Sequence, residues 1–309
     1  MPPDTFFTRP PHWQWYIIFY FFIGGIAGGC FFLSALLRLV GRPGDGPIIR
    51  LGYYIAFLGV VISGILLIVD LGRPDRFWHM MIQNKTGRPM FKYWSPMSVG
   101  AWGLLVFGGF TFLAALGAAY EDGRLRWRLA GRLAQRPIST VIALAGGVMG
   151  FFLAGYTGVL LSVTNRPIWA DSSWLGILYL FSAASSAAAV MILLARRRLP
   201  DAPIIQGLER FDKYALVLEL LALVIFLITL GSAARAFLNA WGAVLLLVVA
   251  GGILVPLLIG FGRIRQFRGR ALTAGTAAAL VLLGGFMLRV VTILPSEQVR
   301  VVGSKVVRP

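Results

Sequence analysis

The stretch from Leu51 to Val69, LGYYIAFLGVVISGILLIV, carries no charge and then breaks into Asp70-Leu71-Gly72-Arg73-Pro74-Asp75-Arg76-Phe77-Trp78-His79. A helix of that length reaches across the roughly 30 Å hydrocarbon core of a bilayer, so the run reads as a membrane span and the charged cluster as its exit. An acid at such a mouth costs a few kcal/mol unless it is paired or reached by water, and Asp70 therefore needs a reason. The device repeats. Ser63-Gly64-Ile65-Leu66-Leu67 precedes Arg73-Pro74, and Thr157-Gly158-Val159-Leu160-Leu161 precedes Asn165-Arg166-Pro167-Ile168-Trp169.

Working outward, the composition agrees with a membrane protein. Of the 309 residues 58% are hydrophobic and only 13% charged, about half the charged fraction of a soluble domain. The formal charge of +17 is spread over many short loops and forms no single patch, which argues for membrane topology and against nucleic acid as a partner. The single cysteine, Cys30, sits inside an apolar run, so the sequence holds no intrachain disulfide and no Cys-rich iron-sulfur or zinc motif. Its N-terminus lacks a signal-peptide pattern, and the run Trp15 to Val40 is expected to stay as the first span.

The expected fold class is an all-α integral membrane protein of eight transmembrane helices, arranged as two four-helix bundles. The spans fall at about 15–39, 49–70, 96–119, 138–163, 173–195, 212–232, 240–262 and 272–292, with 293–309 as a C-terminal tail. Gly41-Arg42-Pro43, Arg73-Pro74, Arg136-Pro137, Arg166-Pro167 and Leu199-Pro200 punctuate the exits, and Pro256 predicts a kink within the seventh span. More than half of the 29 lysines and arginines fall around the loops after spans one, three, five and seven, which predicts that those loops are cytoplasmic and both termini face outward. The loop from Leu71 to Ser95 is basic, aromatic and too long for a bare turn, as suits a docking surface. Gly24-Gly25-Ile26-Ala27-Gly28-Gly29, Gly146-Gly147 with Gly150, and Ala183-Ala184 with Ala187-Ala188 are small-residue stripes that let helices approach closely.

Few residues are left to carry chemistry. Both histidines, His12 and His79, lie outside the spans, which excludes a haem held between facing membrane helices. Asp70 reads either as an ion-pair clamp with Arg73, Arg76 or Arg289 or as a proton acceptor. Glu219, about two turns beyond Asp212 and Lys213, is placed roughly 10 Å inside the membrane and reads either as an arginine-paired side chain or as a proton-path group. Tyr156 is too deep for an interfacial aromatic belt, and its phenol can hydrogen-bond a quinone head beside an apolar slot formed by Trp169, Trp174 and Phe181.

Taken together these residues resemble the NrfD/polysulfide-reductase membrane-subunit family. The resemblance is carried by His12-Trp13-Gln14-Trp15 running into Tyr20-Phe21-Phe22-Ile23-Gly24-Gly25-Ile26-Ala27-Gly28-Gly29. Asp70-Leu71-Gly72-Arg73-Pro74 with Arg76-Phe77-Trp78, Ser95-Pro96-Met97-Ser98, and Tyr156-Thr157-Gly158-Val159-Leu160-Leu161 before Arg166-Pro167-Ile168-Trp169 complete it. The match is less distinct beyond about Phe211. The resemblance implies a haem-free, cluster-free subunit of the bacterial or archaeal cytoplasmic membrane that binds menaquinone or another quinone near the outer face. It also implies electron exchange with a ferredoxin-like iron-sulfur subunit serving a molybdopterin catalytic subunit. By that analogy Tyr156, His12, Gln14, Asp70 and Trp169 surround the quinone, and Asp70, Glu219 and Arg289 move protons. Arg73, Arg76, Trp78, His79 and Arg166 meet the partner. A secondary transporter and a passive anchor are the rival expectations; the transporter is weakened because the two similar exits run in the same direction and are not inverted.

Overall fold

A computed structural model describes Trp13 and residues 15–42, 44–199, 203–261, 270–298, 300–302 and 305–307. Long helices dominate: α1 (Trp15–Val40), α2 (Gly46–Asp70), α3 (Pro96–Glu121), a short α4 (Arg128–Ala134), α5 (Ile138–Ser162), α6 (Leu175–Arg198) and α7 (Pro203–Thr229). They are followed by α8 (Ala240–Leu247), α9 (Val255–Gly260), α10 (Arg270–Gln298) and a small antiparallel hairpin, β1 (Arg300–Val302) with β2 (Lys305–Val307). In lipid only a helix satisfies its backbone within one segment, which is why the apolar runs take this form. Among the described residues seven helices, with Ala240–Gly260 taken as one, are long and apolar enough to cross a membrane; the molecule is a multi-pass membrane protein. Pro203–Thr229 joins them only when combined with the 3₁₀ turn Gly231–Phe237, to which it is bent by 110°.

Contacts sort the helices into two groups of four. Helices α1, α2, α3 and α5 pack together, as do α6, α7, the α8–α9 span and α10, with α1 and α5 bridging to α6. The small-residue stripes make these contacts. A Cβ added to Gly28 would lie 2.5 Å from the Gly150 carbonyl oxygen, and one added to Gly29 would lie 2.6 Å from the Ala187 Cβ. On a third side, a Cβ at Gly59 of α2 would come within 2.8 Å of the Ala27 Cβ. Helix α1 thus meets α5, α6 and α2 at near backbone distance, and most of its length is buried.

Three stretches depart from the hydropathy reading. Helix α7 starts at Pro203, ahead of the apolar run, because Ile205, Leu208 and Asp212 recur on one face and are buried against neighbours. Glu219 therefore lies about 24 Å from the start of α7, two turns beyond Asp212, and is buried. Residues 293–298, expected as tail, continue α10, since Ile293 and Ser296 are buried. The expected kink at Pro256 is taken up as a π-helical segment, Val248–Leu254, which joins α8 to α9 and absorbs the missing proline donor within the span. There Gly252 packs on Gly284 of α10.

The 71–95 segment is folded. Gly72, at φ 67°, turns the backbone out of α2 into a 3₁₀ helix, Pro74–Met80, and Ile82 bridges Pro89 across a tight loop. Ser95 caps α3 by accepting from the Ser98 amide, Pro96 occupies the first turn, and the Trp102 Nε1 donates to the Met90 carbonyl at 3.1 Å. Replacing Gly28 with Val forces α1 off α5, an overpacking cost of about 1–3 kcal/mol or more. The expected result is a lowered unfolding temperature in detergent for Gly28→Val and little change for Gly207→Ala, whose added Cβ meets only a side-chain end at 3.7 Å.

Candidate functional site

Where α2 ends, the first four-helix group opens into a cavity of about 600 Å³. Helix α1 contributes Ile17, Tyr20 and Phe21 to it, with Trp13 just before, a spacing that places them on one face. Helix α2 contributes Gly64, Leu67 and Asp70, and α3 contributes Met97, Gly100 and Leu104. Helix α5 contributes Tyr156, and the 3₁₀ segment closes over the top with Phe77 and Met80. The lining is mostly apolar, with a carboxylate and phenols as its side-chain polar groups: room for a flat ring with an isoprenoid-like tail and a few points of orientation.

Tyr156 is buried, and its hydroxyl donates to the Pro96 carbonyl at 2.5 Å. The phenol proton is thereby committed to the first turn of α3, leaving an oxygen lone pair for a donor in the cavity. Gly100 makes this possible: a Cβ there would overlap the Tyr156 Oη. Tyr20 lies close enough to Tyr156 for an electrostatic interaction. Tyr20 was not among the expected site residues. Its helical spacing from Ile17 and Trp13 is the signal in the sequence that points to it.

Asp70 is the last residue of α2 and lines the cavity. Carbonyls at a helix C-terminus carry partial negative charge, so an acid there costs stability and cannot be explained as a dipole or capping device. Among the described residues it has no ion pair: Arg76 reaches Asp75 at 3.6 Å instead, and Arg289 lies in the other helix group. The clamp expectation is replaced by a carboxylate facing the cavity.

The remaining expected residues divide. Trp169 is fully buried but stands behind the cavity; it stacks on Trp13 with ring centroids 5.6 Å apart and donates from Nε1 to the Thr292 carbonyl at 2.7 Å. Its neighbour Ile168 has φ 72°, a rare conformation for a β-branched residue, held by the Ile168 amide donating to Asp171 at 2.8 Å. Phe181 lines a separate apolar groove with Phe211 and Tyr214. Arg166 is not on the surface. It is buried, reaching the Ser296 carbonyl and lying 5.6 Å from the Trp169 ring, because the loop after α5 folds against the extended end of α10. Arg73, Arg76, Phe77 and Trp78 are exposed on the 71–95 segment, and His79 is half-buried against Trp78. His12 and Gln14 lie outside the described residues.

Glu219 and Arg289 do not meet Asp70. Both are buried between α6, α7 and α10, where the Arg289 Nη1 donates to Ser182 at 2.5 Å and to the Gly285 carbonyl at 2.7 Å. Among the described residues no cluster of three or more His, Cys, Asp or Glu side chains could hold a metal ion.

The family described as "Polysulphide reductase, NrfD" matches residues 5–301. The protein is 28% identical to Protein NrfD of Escherichia coli (strain K12) over 305 residues, covering 90% of this sequence and 92% of that protein. It is 25% identical to a polysulfide reductase chain of Wolinella succinogenes over 182 residues, 56% of this sequence and 55% of the other. A selenate reductase subunit of Mesobacillus selenatarsenatis matches over a shorter stretch, 28% identity across 78 residues, 25% of this sequence and 18% of that one.

Because Tyr156 is held by one hydrogen bond in a space cleared by Gly100, two substitutions separate the bond from the space. Tyr156→Phe loses the bond to Pro96, about 1 kcal/mol of stability. Gly100→Ala displaces the ring and is expected to lower the unfolding temperature further; equal melting of the two variants would contradict a packing role for Gly100.

Proposed function

Since the protein belongs to the NrfD polysulphide reductase family and is the membrane subunit of an oxidoreductase complex, we propose that the cavity between α1, α2, α3 and α5 is where it oxidises quinol. The observation that carries this reading is the convergence of Tyr156 and Asp70 on one mostly apolar cavity at a helix exit.

A quinol carries two hydroxyl donors. With its own proton given to Pro96, Tyr156 is set to accept from one of them, and the Asp70 carboxylate is the proton acceptor available in the same cavity. Oxidation of the quinol to quinone releases two electrons and two protons. The protons pass to Asp70 and out beside Gly72 and Arg73, while the electrons leave to the partner. Menaquinone is the quinone proposed, and the apolar walls from Leu67, Met97 and Leu104 accommodate the ring and the start of its tail. His12 and Gln14 remain proposed quinone contacts. Trp169 acts by holding Trp13 in place at the cavity wall.

The partner proposed is a ferredoxin-like iron-sulfur subunit docked on the 71–95 segment, serving a molybdopterin catalytic subunit. Exposed Phe77, Trp78, Phe91, Tyr93 and Trp94, together with Arg73, Arg76 and His79, give that segment the aromatic and arginine content of a protein interface. The orientation proposed places this face outside the cytoplasmic membrane, with the arginine-rich loops inside. The eight-span arrangement, with α7 and its bent extension as one span, belongs to the same proposal.

In the purified complex Asp70→Asn is expected to slow quinol oxidation by roughly a hundredfold, the scale of a lost general base, and Tyr156→Phe to raise the quinol concentration needed. Wild-type kinetics for both variants would sink the site assignment. A separate test addresses docking: Trp78→Ala with Trp94→Ala is expected to release the iron-sulfur subunit during purification while the membrane subunit stays folded.

A further inference from the structure

A second cavity, of about 340 Å³, lies at the opposite end of α2 from the proposed quinol site, where α2 begins and α3 and α6 end. Ile48 at this cavity and Asp70 at the first are about 33 Å apart along the one helix. Three spans leave the apolar part of the molecule here, which puts the cavity at the level of lipid headgroups. Its walls are apolar, formed by Ile48 and Leu51 on one side and Ala195 and Leu199 on the other, and Arg124 and Arg198 line it together with Asp122.

The charges around this cavity do not balance. Arg38 donates to Glu121 at 2.8 Å, Arg50 to Asp122 at 2.5 Å and Arg196 to Glu209 at 2.5 Å. Asp122 also accepts from the Tyr54 hydroxyl at 2.8 Å, so the one acid that lines the cavity is already compensated. Among the described residues Arg124 and Arg198 have no ion pair. Arg124 is nevertheless held in place. Gly123, at φ 71°, turns the chain back at the end of α3, and the Arg124 amide donates to the Ala119 carbonyl at 2.9 Å, the long bond of a Schellman cap. Its guanidinium rests 5.3 Å from the centroid of the Tyr54 ring, which Asp122 anchors in turn. Arg198 stands opposite, in the last turn of α6. Two guanidiniums without a carboxylate at one cavity suit an anion, and phosphate oxygens match their paired donors.

Helix α2 also indicates what the anion is attached to. Leu51 and Tyr54 at the cavity continue at helical spacing into Leu58, Val61 and Ile65, all three exposed. The stripe leads from the arginines into the apolar depth of the membrane, the course of an acyl chain hung from a phosphate at the headgroup level. A free phosphate has no use for it.

We propose that this cavity binds the phosphodiester headgroup of an anionic phospholipid between Arg124 and Arg198, with an acyl chain laid along the exposed stripe of α2. Basic pockets between membrane helices recognise such headgroups by the same chemistry. The bound lipid bridges the two groups of four helices, since α2 and α3 belong to one and α6 to the other. The site shares no residue with the quinol cavity and does not depend on the redox reading.

The test uses the purified full-length protein in a neutral detergent, titrated with phosphatidylglycerol, phosphatidylcholine or inorganic phosphate. Unfolding temperature and lipid retained in the native mass spectrum are read together. Phosphatidylglycerol is expected to raise the unfolding temperature and stay bound where phosphatidylcholine does not, and Arg124→Gln with Arg198→Gln to need about thirtyfold more phosphatidylglycerol for the same effect. Arg126→Gln with Arg197→Gln removes the same charge from two exposed positions that do not line the cavity, and is expected to respond as the unaltered protein does. Equal responses of the two pairs overturn the proposal, as does equal retention of the two lipids. Stabilisation by inorganic phosphate as large as that by phosphatidylglycerol overturns it in favour of a free anion. Should the cavity pair fail to fold, a photoreactive phosphatidylglycerol on the unaltered protein decides alone: label on the segment from Leu51 to Ile65 supports the site, and label confined to other segments overturns it.

Discussion

Everything in this fold depends on how closely α1 is approached by its neighbours. Gly28 lets α5 come to backbone distance, Gly29 does the same for α6, and Ala27 seats against Gly59 of α2. Lipid offers no hydrophobic drive between helices, so close van der Waals packing is what remains to hold such a bundle, and small residues are its means. The same closeness fixes the chemistry on both sides of α1. One side presents Ile17, Tyr20 and Phe21 to the cavity; on another, Gly25 packs on Ala183 of α6, whose Cβ would lie 3.1 Å from an added Cβ, with the Arg289 guanidinium alongside. Helix α1 is therefore the partition between the cavity and a buried charged row.

Legibility in the sequence followed the strength of the local signal. The apolar runs marked the spans because hydropathy over about 20 residues is a strong constraint, and the stripes Gly24 to Gly29 and Ala183 to Ala188 marked packing because only small residues permit it. Asp70 and Tyr156 were legible as residues out of place, an acid at a helix exit and a phenol inside a span. Their meeting in one cavity was expected from the family resemblance and not from any local signal, since the distance between α2 and α5 is set by tertiary packing.

Other features left no local trace. Trp169 read as part of a slot around the quinone and Arg166 as a partner contact, yet α10 runs six residues beyond its expected end and packs over both. The start of α7 was hidden for a related reason: the helix begins where amphipathic spacing begins, at Pro203, while hydropathy registers only the apolar part. Gly100 carried no motif, and its role exists only because the Tyr156 ring comes to rest on that turn of α3.

A quinone seated in the cavity is the claim on which the proposed chemistry rests. A photoreactive menaquinone analogue bound to the purified complex, followed by mapping of the labelled peptides, tests it most directly. The predicted result is label on the segments bearing Met80, Met97 and Leu104, competed away by menaquinol. Label on the groove of Phe181, Phe211 and Tyr214, or label that menaquinol does not displace, would contradict it.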